Sequence, residues 1–385
     1  MRLLHILQLL SLIHYAYSIW IPEENPKELK GRGVKVPLIY NRAHDVKAEL
    51  RNKRNLEIRA DHKGLGPAKL TTTGSYLFPL KIGAQSFTVV FDTGSQDLWV
   101  LSSVTALPGR HLYVPSKSSV ALNKPFRIDY GDGSEASGTT YSDTIDLGGL
   151  VIENQAVEVA TFINGTLLHS PLDGILGMNL LARQTSGFPS VLNTLFKDDL
   201  QSRVFTCSVT RPEESVEGFC TFGYIPSPLT ESNVFFTDVI NNALGFWMFP
   251  STTAKIGNKL YQRPPGNTAI ADTGTTTIHV DDGLLELVYR PLNGIKNSEG
   301  IWMYPVSSQH LVPTITLPMA GFDVTLQPGD LPIETVNGYY LGALQSRGNA
   351  HYDIFGDYWL TKVYAVFDYT KNTPRFGVAL RKSSA

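Results

Sequence analysis

The sequence predicts a mainly β chain folded as two pseudo-symmetric lobes, and three observations carry that expectation. The first is texture: 33 Gly and 23 Pro punctuate short runs of Val, Ile, Phe, Tyr and Thr, which reads as strands and turns with few short helices. The second is a repeated phrase. VVFDTGSQDLWV (Val89–Val100) and AIADTGTTTIHV (Ala269–Val280) each end an apolar, strand-forming run on Asp-Thr-Gly followed by a hydroxyl residue. The third is an interval: 85 residues separate Asp92 from Gly177 of Ile175-Leu176-Gly177, and 84 separate Asp272 from Gly356 of Ile354-Phe355-Gly356. Near-equal spacing over that length is what a duplicated plan leaves behind. With 385 residues, 42% hydrophobic and 10% aromatic, the chain can bury core enough for two domains.

Taken in order, residues 1–18 open with Met1-Arg2, run apolar from Leu3 to Ile13 and close on Ala16-Tyr17-Ser18, with small residues where a signal peptidase reads. The run is too short to span a bilayer, so a cleaved secretory signal is expected. No later stretch reads as a membrane helix, and the polar end Arg381-Lys382-Ser383-Ser384-Ala385 argues against a lipid anchor. Residues 19–65 form a charged segment without a sustained strand pattern, with Val34-Lys35-Val36-Pro37-Leu38 near its start. Ile19 to Lys69 carries 12 Lys/Arg against 7 Asp/Glu, a balance of +5; apart from this stretch and Arg2, the rest holds 20 against 28, a balance of −8. A basic front precedes an acidic body, and that body argues against nucleic acid as a partner.

Residues 66–202 are expected to form the first lobe and 203–385 the second, with the boundary near Gln201 to Tyr224. Leu70–Ile82 alternates as a strand, Gly83-Ala84-Gln85 turns, and Phe87–Phe91 feeds Asp92. Gly94 lets the backbone turn and approach closely. Phe126–Tyr130 reads as a strand, Gly131-Asp132-Gly133-Ser134 as a tight turn, and alternation resumes over Gly138–Leu147, making a hairpin. The matching place in the second half holds Ser308-Gln309-His310-Leu311 and no such turn. That asymmetry points to one chain working as a monomer, not to a dimer of identical halves. Pro189–Leu200 and Leu284–Tyr289 carry apolar residues at helical intervals.

Cys207 and Cys220, in VFTCSVT and GFCTFG, flank the polar turn Arg211-Pro212-Glu213-Glu214-Ser215. In a secreted chain an even count reads as a disulfide across a hairpin, contributing about 3 kcal/mol, with two free buried thiols as the alternative. Asn164-Gly165-Thr166 is a glycosylation acceptor triplet.

The chemistry lies in the repeated Asp. Two carboxylates held in one site cannot both ionise freely, because like charges a few ångströms apart push one proton affinity upward. The pair then keeps one proton, an acid beside a base, which is what peptide-bond hydrolysis needs when neither a metal nor a covalent intermediate assists. Ser95 and Thr275 are placed to bond the outer carboxylate oxygens, and Gly94 and Gly274 leave room for a water. The nine His show no His-Glu-x-x-His, and no Gly-x-Ser-x-Gly elbow, phosphate loop or dinucleotide fingerprint occurs. A zinc site and a secreted serine hydrolase are thereby disfavoured, and no cofactor is called for.

These motifs, with Tyr130-Gly131-Asp132-Gly133-Ser134, Leu172-Asp173-Gly174-Ile175-Leu176-Gly177, Ile354-Phe355-Gly356-Asp357 and Ala365-Val366-Phe367-Asp368, make the chain resemble the pepsin-like aspartic endopeptidases of secreted, fungal type, from about Leu70 to Leu380. The resemblance implies a bilobal fold with Asp92 and Asp272 facing each other across the cleft. It implies acidic working pH, protein and peptide substrates, and a preference for bulky hydrophobic residues around the cut bond.

The 126–147 hairpin would be the flap over the cleft, with Tyr130 and Gly131 against substrate and the Tyr130 hydroxyl bonded to the indole of Trp99. Asp132 at the flap tip would accept a basic side chain in the same pocket. Residues 19–65 would be a basic prosegment, the enzyme's own inhibitor. At neutral pH ionised carboxylates attract it, and acid releases it. Lys53-Arg54 also offers a dibasic processing site. Release outside the cell is expected, with an acidic vacuole as the alternative destination, and the rival function is a non-catalytic pepsin-like binding protein. Asp173 and Asp357 read as structural carboxylates bonding nearby backbone. Departures from the family pattern are Gln96-Asp97 after the first motif, Thr276-Thr277 after the second, and the absence of the second-lobe disulfide familiar in many relatives.

Overall fold

The computed structural model describes residues 33–41 and 75–381, apart from 106, 108, 171, 199, 212–217 and 227–233. The secretory signal, most of the 19–65 segment including Lys53-Arg54, and residues 70–74 of the first expected strand lie outside the described residues.

The chain is mostly β, in five sheets of eight, six, five, four and four strands. The duplicated plan shows directly in the pairing. Strand Gln85–Asp92 runs parallel to Gly174–Gly177, with Asp92 opposite Gly177, and strand Leu98–Leu101 pairs antiparallel on the other side of the same triplet. In the second half Thr268–Ala271 runs parallel to Tyr352–Phe355, and Ile278–Val280 pairs antiparallel with it. Each apolar-apolar-Gly triplet is therefore the central strand on which an Asp-Thr-Gly loop rests. All four residues of Gly174–Gly177 are buried, which is why an unbroken apolar run occurs there without alternation.

Val120–Asp129 and Glu135–Asp146 form the expected hairpin, closed by Tyr130 N–H donating to Ser134 O at 2.8 Å. The 308–311 stretch of the second half falls instead in a 3₁₀ segment, Val306–Leu311. Helices occur at Val191–Asp198, where Ser190 Oγ accepts from Asn193 N, and at Asp282–Tyr289, where Asp281 accepts from Leu284 N at 3.0 Å. Both carboxyl and hydroxyl caps satisfy amide donors that a helix start leaves open. Among the described residues no helix is long and apolar enough to cross a membrane.

The six-stranded sheet joins the chain's distant parts. Val204–Ser208 and Phe219–Phe222, from the expected boundary region, pair with each other, and Val204–Ser208 pairs on its other side with Val363–Asp368, whose far neighbour is Arg375–Leu380. Cys207 and Cys220 stand opposite one another in this hairpin and form the disulfide; free cysteines are absent among the described residues. Phe205 stacks on Phe367 with centroids 4.5 Å apart, and Trp247 meets both edge-on. Full burial of such rings stabilises the fold by about 2–3 kcal/mol each relative to exposure.

The expectation of no sustained strand in residues 19–65 needs correction. Val34–Pro37 adds an edge strand to the six-stranded sheet against Phe219–Phe222, and Ile39–Asn41 pairs with Ser75–Leu77. Val34, Val36 and Leu38 are buried while Lys35 and Pro37 are exposed. The pattern is true alternation, but four residues are too few for a period to stand out among charged neighbours.

Candidate active site

Asp92 is the last residue of its strand and Asp272 the first after its own, so each side chain is presented where a sheet ends and a loop turns back. Both are buried, at 7% and 3% exposure. Within each loop the carboxylate is held twice. Asp92 Oδ1 accepts from Gly94 N at 2.8 Å and Oδ2 from Ser95 Oγ at 2.5 Å. Asp272 Oδ1 accepts from Gly274 N at 2.9 Å and Oδ2 from Thr275 Oγ1 at 2.6 Å. The two loops then meet face to face: a Cβ on Gly94 would stand 2.7 Å from Asp272 Oδ1, and one on Gly274 would stand 2.2 Å from Asp92 Oδ1. Only residues without a side chain allow the inner oxygens to come this close.

Sequence reasoning passed over what fastens the loops together. Thr93 N donates to Thr273 Oγ1 at 3.1 Å, and Thr273 N donates to Thr93 Oγ1 at 3.0 Å. Each hydroxyl in turn donates across to the strand before the other motif, Thr93 to Ala271 O at 2.8 Å and Thr273 to Phe91 O at 2.7 Å. Both threonines are buried, so four reciprocal bonds in a dry setting fix the spacing of the carboxylates. The motif itself held the signal, since each Asp is followed by Thr.

The 130–134 turn brings Tyr130 within the electrostatic reach of Asp92. Trp99 is fully buried and its Nε1 donates to Tyr130 Oη at 2.6 Å. Burial, with the nearby Asp92 charge adding to it, keeps the Tyr130 phenol well above its ordinary range, so it stays protonated. Behind it Trp99, Phe126, Ile128, Leu167 and Leu172 form an apolar cluster. Gly131 is exposed at the turn, and Asp132 beside it accepts from Ser134 N and Oγ and from Thr166 Oγ1. Asn164, half-buried, receives Glu135 N through Oδ1.

The two carboxylates expected to be structural differ. Asp173 accepts from the backbone of Thr88 and His111 at 2.7 and 2.8 Å. Asp357 is buried with Oδ1 unpartnered among the described residues, and desolvation, then the charges of Asp272 and Asp92, push its carboxyl well above the usual range. A second acidic pair, unsuspected from sequence, lies beneath the first loop. Register sets Trp99 opposite Glu158, which brings Glu158 to Asp97. Asp97 Oδ1 accepts from Thr185 N at 2.5 Å and Glu158 Oε1 from Ser186 N at 2.9 Å. The other two oxygens have only each other, and burial, then the Asp97 charge, pushes Glu158 up to about 8. Burial raises Asp97 as well.

A family model described as eukaryotic aspartyl protease matches residues 75–379. Aspergillopepsin-1 of Aspergillus fumigatus is 35% identical over 320 residues, covering 79% of this chain and 78% of that protein. Penicillopepsin-1 of Penicillium rubens is 35% identical over 318 residues, covering 79% and 77%. Endothiapepsin of Cryphonectria parasitica is 32% identical over 321 residues, covering 79% and 75%.

Proposed function

The chain belongs to the eukaryotic aspartyl protease family, and from that premise we propose a secreted endopeptidase that cuts peptide bonds at acidic pH with Asp92 and Asp272 as its catalytic pair. The reading rests on one observation, the inner oxygen of each carboxylate lying against the glycine of the opposite loop. In this reading the pair works with one proton held between its members. The ionised member takes a proton from a bound water as its oxygen attacks the substrate carbonyl, while the protonated member donates to the carbonyl oxygen. The resulting diol collapses when the leaving nitrogen is protonated. Ser95 and Thr275 hold the outer oxygens so that the inner ones face the water.

The apolar cluster behind Tyr130 suits a bulky hydrophobic residue before the cut bond, and Asp132 at the turn suits a basic one. Residues 19–65 act as an inhibitory prosegment, whose balance of +4 (11 Lys/Arg against 7 Asp/Glu) is drawn to the −7 of residues 66–385 (21 against 28) until acid neutralises the carboxylates. The protein works as a monomer outside the cell.

The test is digestion of a denatured protein at acidic pH, with and without pepstatin, repeated on Asp92→Asn. Cleavage that pepstatin blocks is expected, with activity down at least about 10³-fold in the variant. Cleavage that persists in Asp92→Asn overturns the assignment.

A further inference from the structure

The flap-tip carboxylate is held by a device that the catalytic reading does not use. Asp132 Oδ1 accepts from Ser134 N at 3.0 Å and from Ser134 Oγ at 2.6 Å, while Oδ2 accepts from Thr166 Oγ1 at 2.6 Å. A carboxylate offers about four lone-pair sites, so three are taken by neutral donors and one on Oδ2 stays available. Among the described residues no Lys or Arg pairs with Asp132. The nearest basic flap residue, Arg127, is engaged by Asp129 and Glu135 instead, each at 3.1 Å.

Thr166 is itself held from both sides. It lies in the one-turn segment Gly165–Leu168, preceded by Asn164, whose N–H donates to Glu135 O at 3.0 Å and whose Oδ1 accepts from Glu135 N at 2.7 Å. Gly165, at φ +61°, packs on Ser134 so closely that a Cβ would stand 2.9 Å from the Ser134 Cβ. On the far side the Arg110 guanidinium donates to Leu167 O at 3.0 Å and Leu168 O at 2.7 Å. The hydroxyl therefore reaches Asp132 from a braced position, and the orientation it imposes costs little further entropy.

We propose that Thr166 is a positioning residue for substrate selection: with Ser134 it fixes Asp132 so that its remaining acceptor site meets the ammonium of a basic side chain on the residue before the cut bond. The inference rests on the endopeptidase reading above. A neutral side chain of the same length gains nothing from that acceptor, so Thr166 acts on the preference and not on the hydrolysis.

The experiment compares kcat/KM on two peptides that differ only at that residue, lysine or norleucine, using the full-length chain taken to acidic pH. Thr166→Val is expected to lower the lysine-to-norleucine ratio about tenfold while norleucine cleavage stays within about twofold. Thr166→Ser should keep the ratio, because the donor is retained. Enzymatic deglycosylation of the wild type should keep it too, which separates the hydroxyl from loss of a glycan on Asn164. Thr166→Ala replaces the valine variant if that one does not fold. An unchanged ratio, an equal fall on both peptides, or a wild type that cuts the norleucine peptide and not the lysine one overturns the proposal alone. A wild type that cuts neither peptide removes the endopeptidase reading, and the proposal with it.

Discussion

One methyl group is enough to test how the carboxylates are spaced. A Cβ on Gly274 would lie 2.2 Å from Asp92 Oδ1, where no real contact is made, so the Asp92 side chain must retreat. At Gly94 the corresponding approach to Asp272 Oδ1 is 2.7 Å, and a smaller shift suffices. Displacement of a reacting group by about 1 Å costs on the order of a hundredfold in rate. Gly274→Ala should therefore lower kcat at least about that much, and Gly94→Ala should lower it less; steady-state kinetics on one apolar peptide decides both. Equal activity in Gly274→Ala and wild type would mean that the glycine does not set the distance. At this scale Asp92, Gly94 and Ser95 are legible in the sequence because each acts within four residues of the others. The bonds between the two loops are not: each motif displays its Thr, but Thr93 and its partner Thr273 stand 180 residues apart and no local pattern pairs them.

Among elements, the edge strand Val34–Pro37 makes the sharpest test. Val36 is fully buried and reaches the Leu147–Leu150 turn, where a Cβ on Gly148 would stand 2.7 Å from Val36 Cγ2. The strand thus seals one side of the six-stranded sheet and touches the turn of another. Val36 is packed in the apolar core, so a charge there would be desolvated, and Val36→Asp should cost about 3–5 kcal/mol near neutral pH, with Val36→Ala costing less. Thermal melts of the full-length chain in an Asp92→Asn background, where self-digestion is suppressed, measure both. A melt unchanged by Val36→Asp would show that this strand does not hold the sheet. The Cys207–Cys220 hairpin was readable because apolar runs flank a polar turn nearby in sequence. The edge strand was not, since its alternation spans four residues and its partner, Phe219–Phe222, lies far along the chain. The two apolar-Gly triplets were readable as repeats, but that each is the central strand under its own motif depends on pairing across more than 80 residues.

For the molecule as a whole, the buried acids argue that stability is an acid property. Asp97, Glu158 and Asp357 are buried and, among the described residues, none has an ion pair. Burial raises all three carboxyls, and for Glu158 the rise is from 4.5 to about 8. A carboxyl whose folded pKa exceeds its unfolded one binds its proton more tightly when folded, so its stabilising effect is complete below the unfolded value. That effect drains as pH climbs through the folded one. For Glu158 the window opens near 4.5 and closes past about 8. The −8 balance of the body acts in the same direction, because self-repulsion grows as the remaining carboxyls ionise. The midpoint of thermal unfolding in the Asp92→Asn background should thus fall steadily between pH 5 and 8. Glu158→Gln removes one ionisation while keeping a donor for the Asp97 oxygen that otherwise has none. It should leave the midpoint at pH 4 nearly unchanged and raise it at pH 7, by about 2 °C for each kcal/mol recovered. An identical pH slope in Glu158→Gln would place the loss elsewhere in the molecule, with Asp357, whose carboxyl feels the charges of Asp272 and Asp92, as the next group to neutralise.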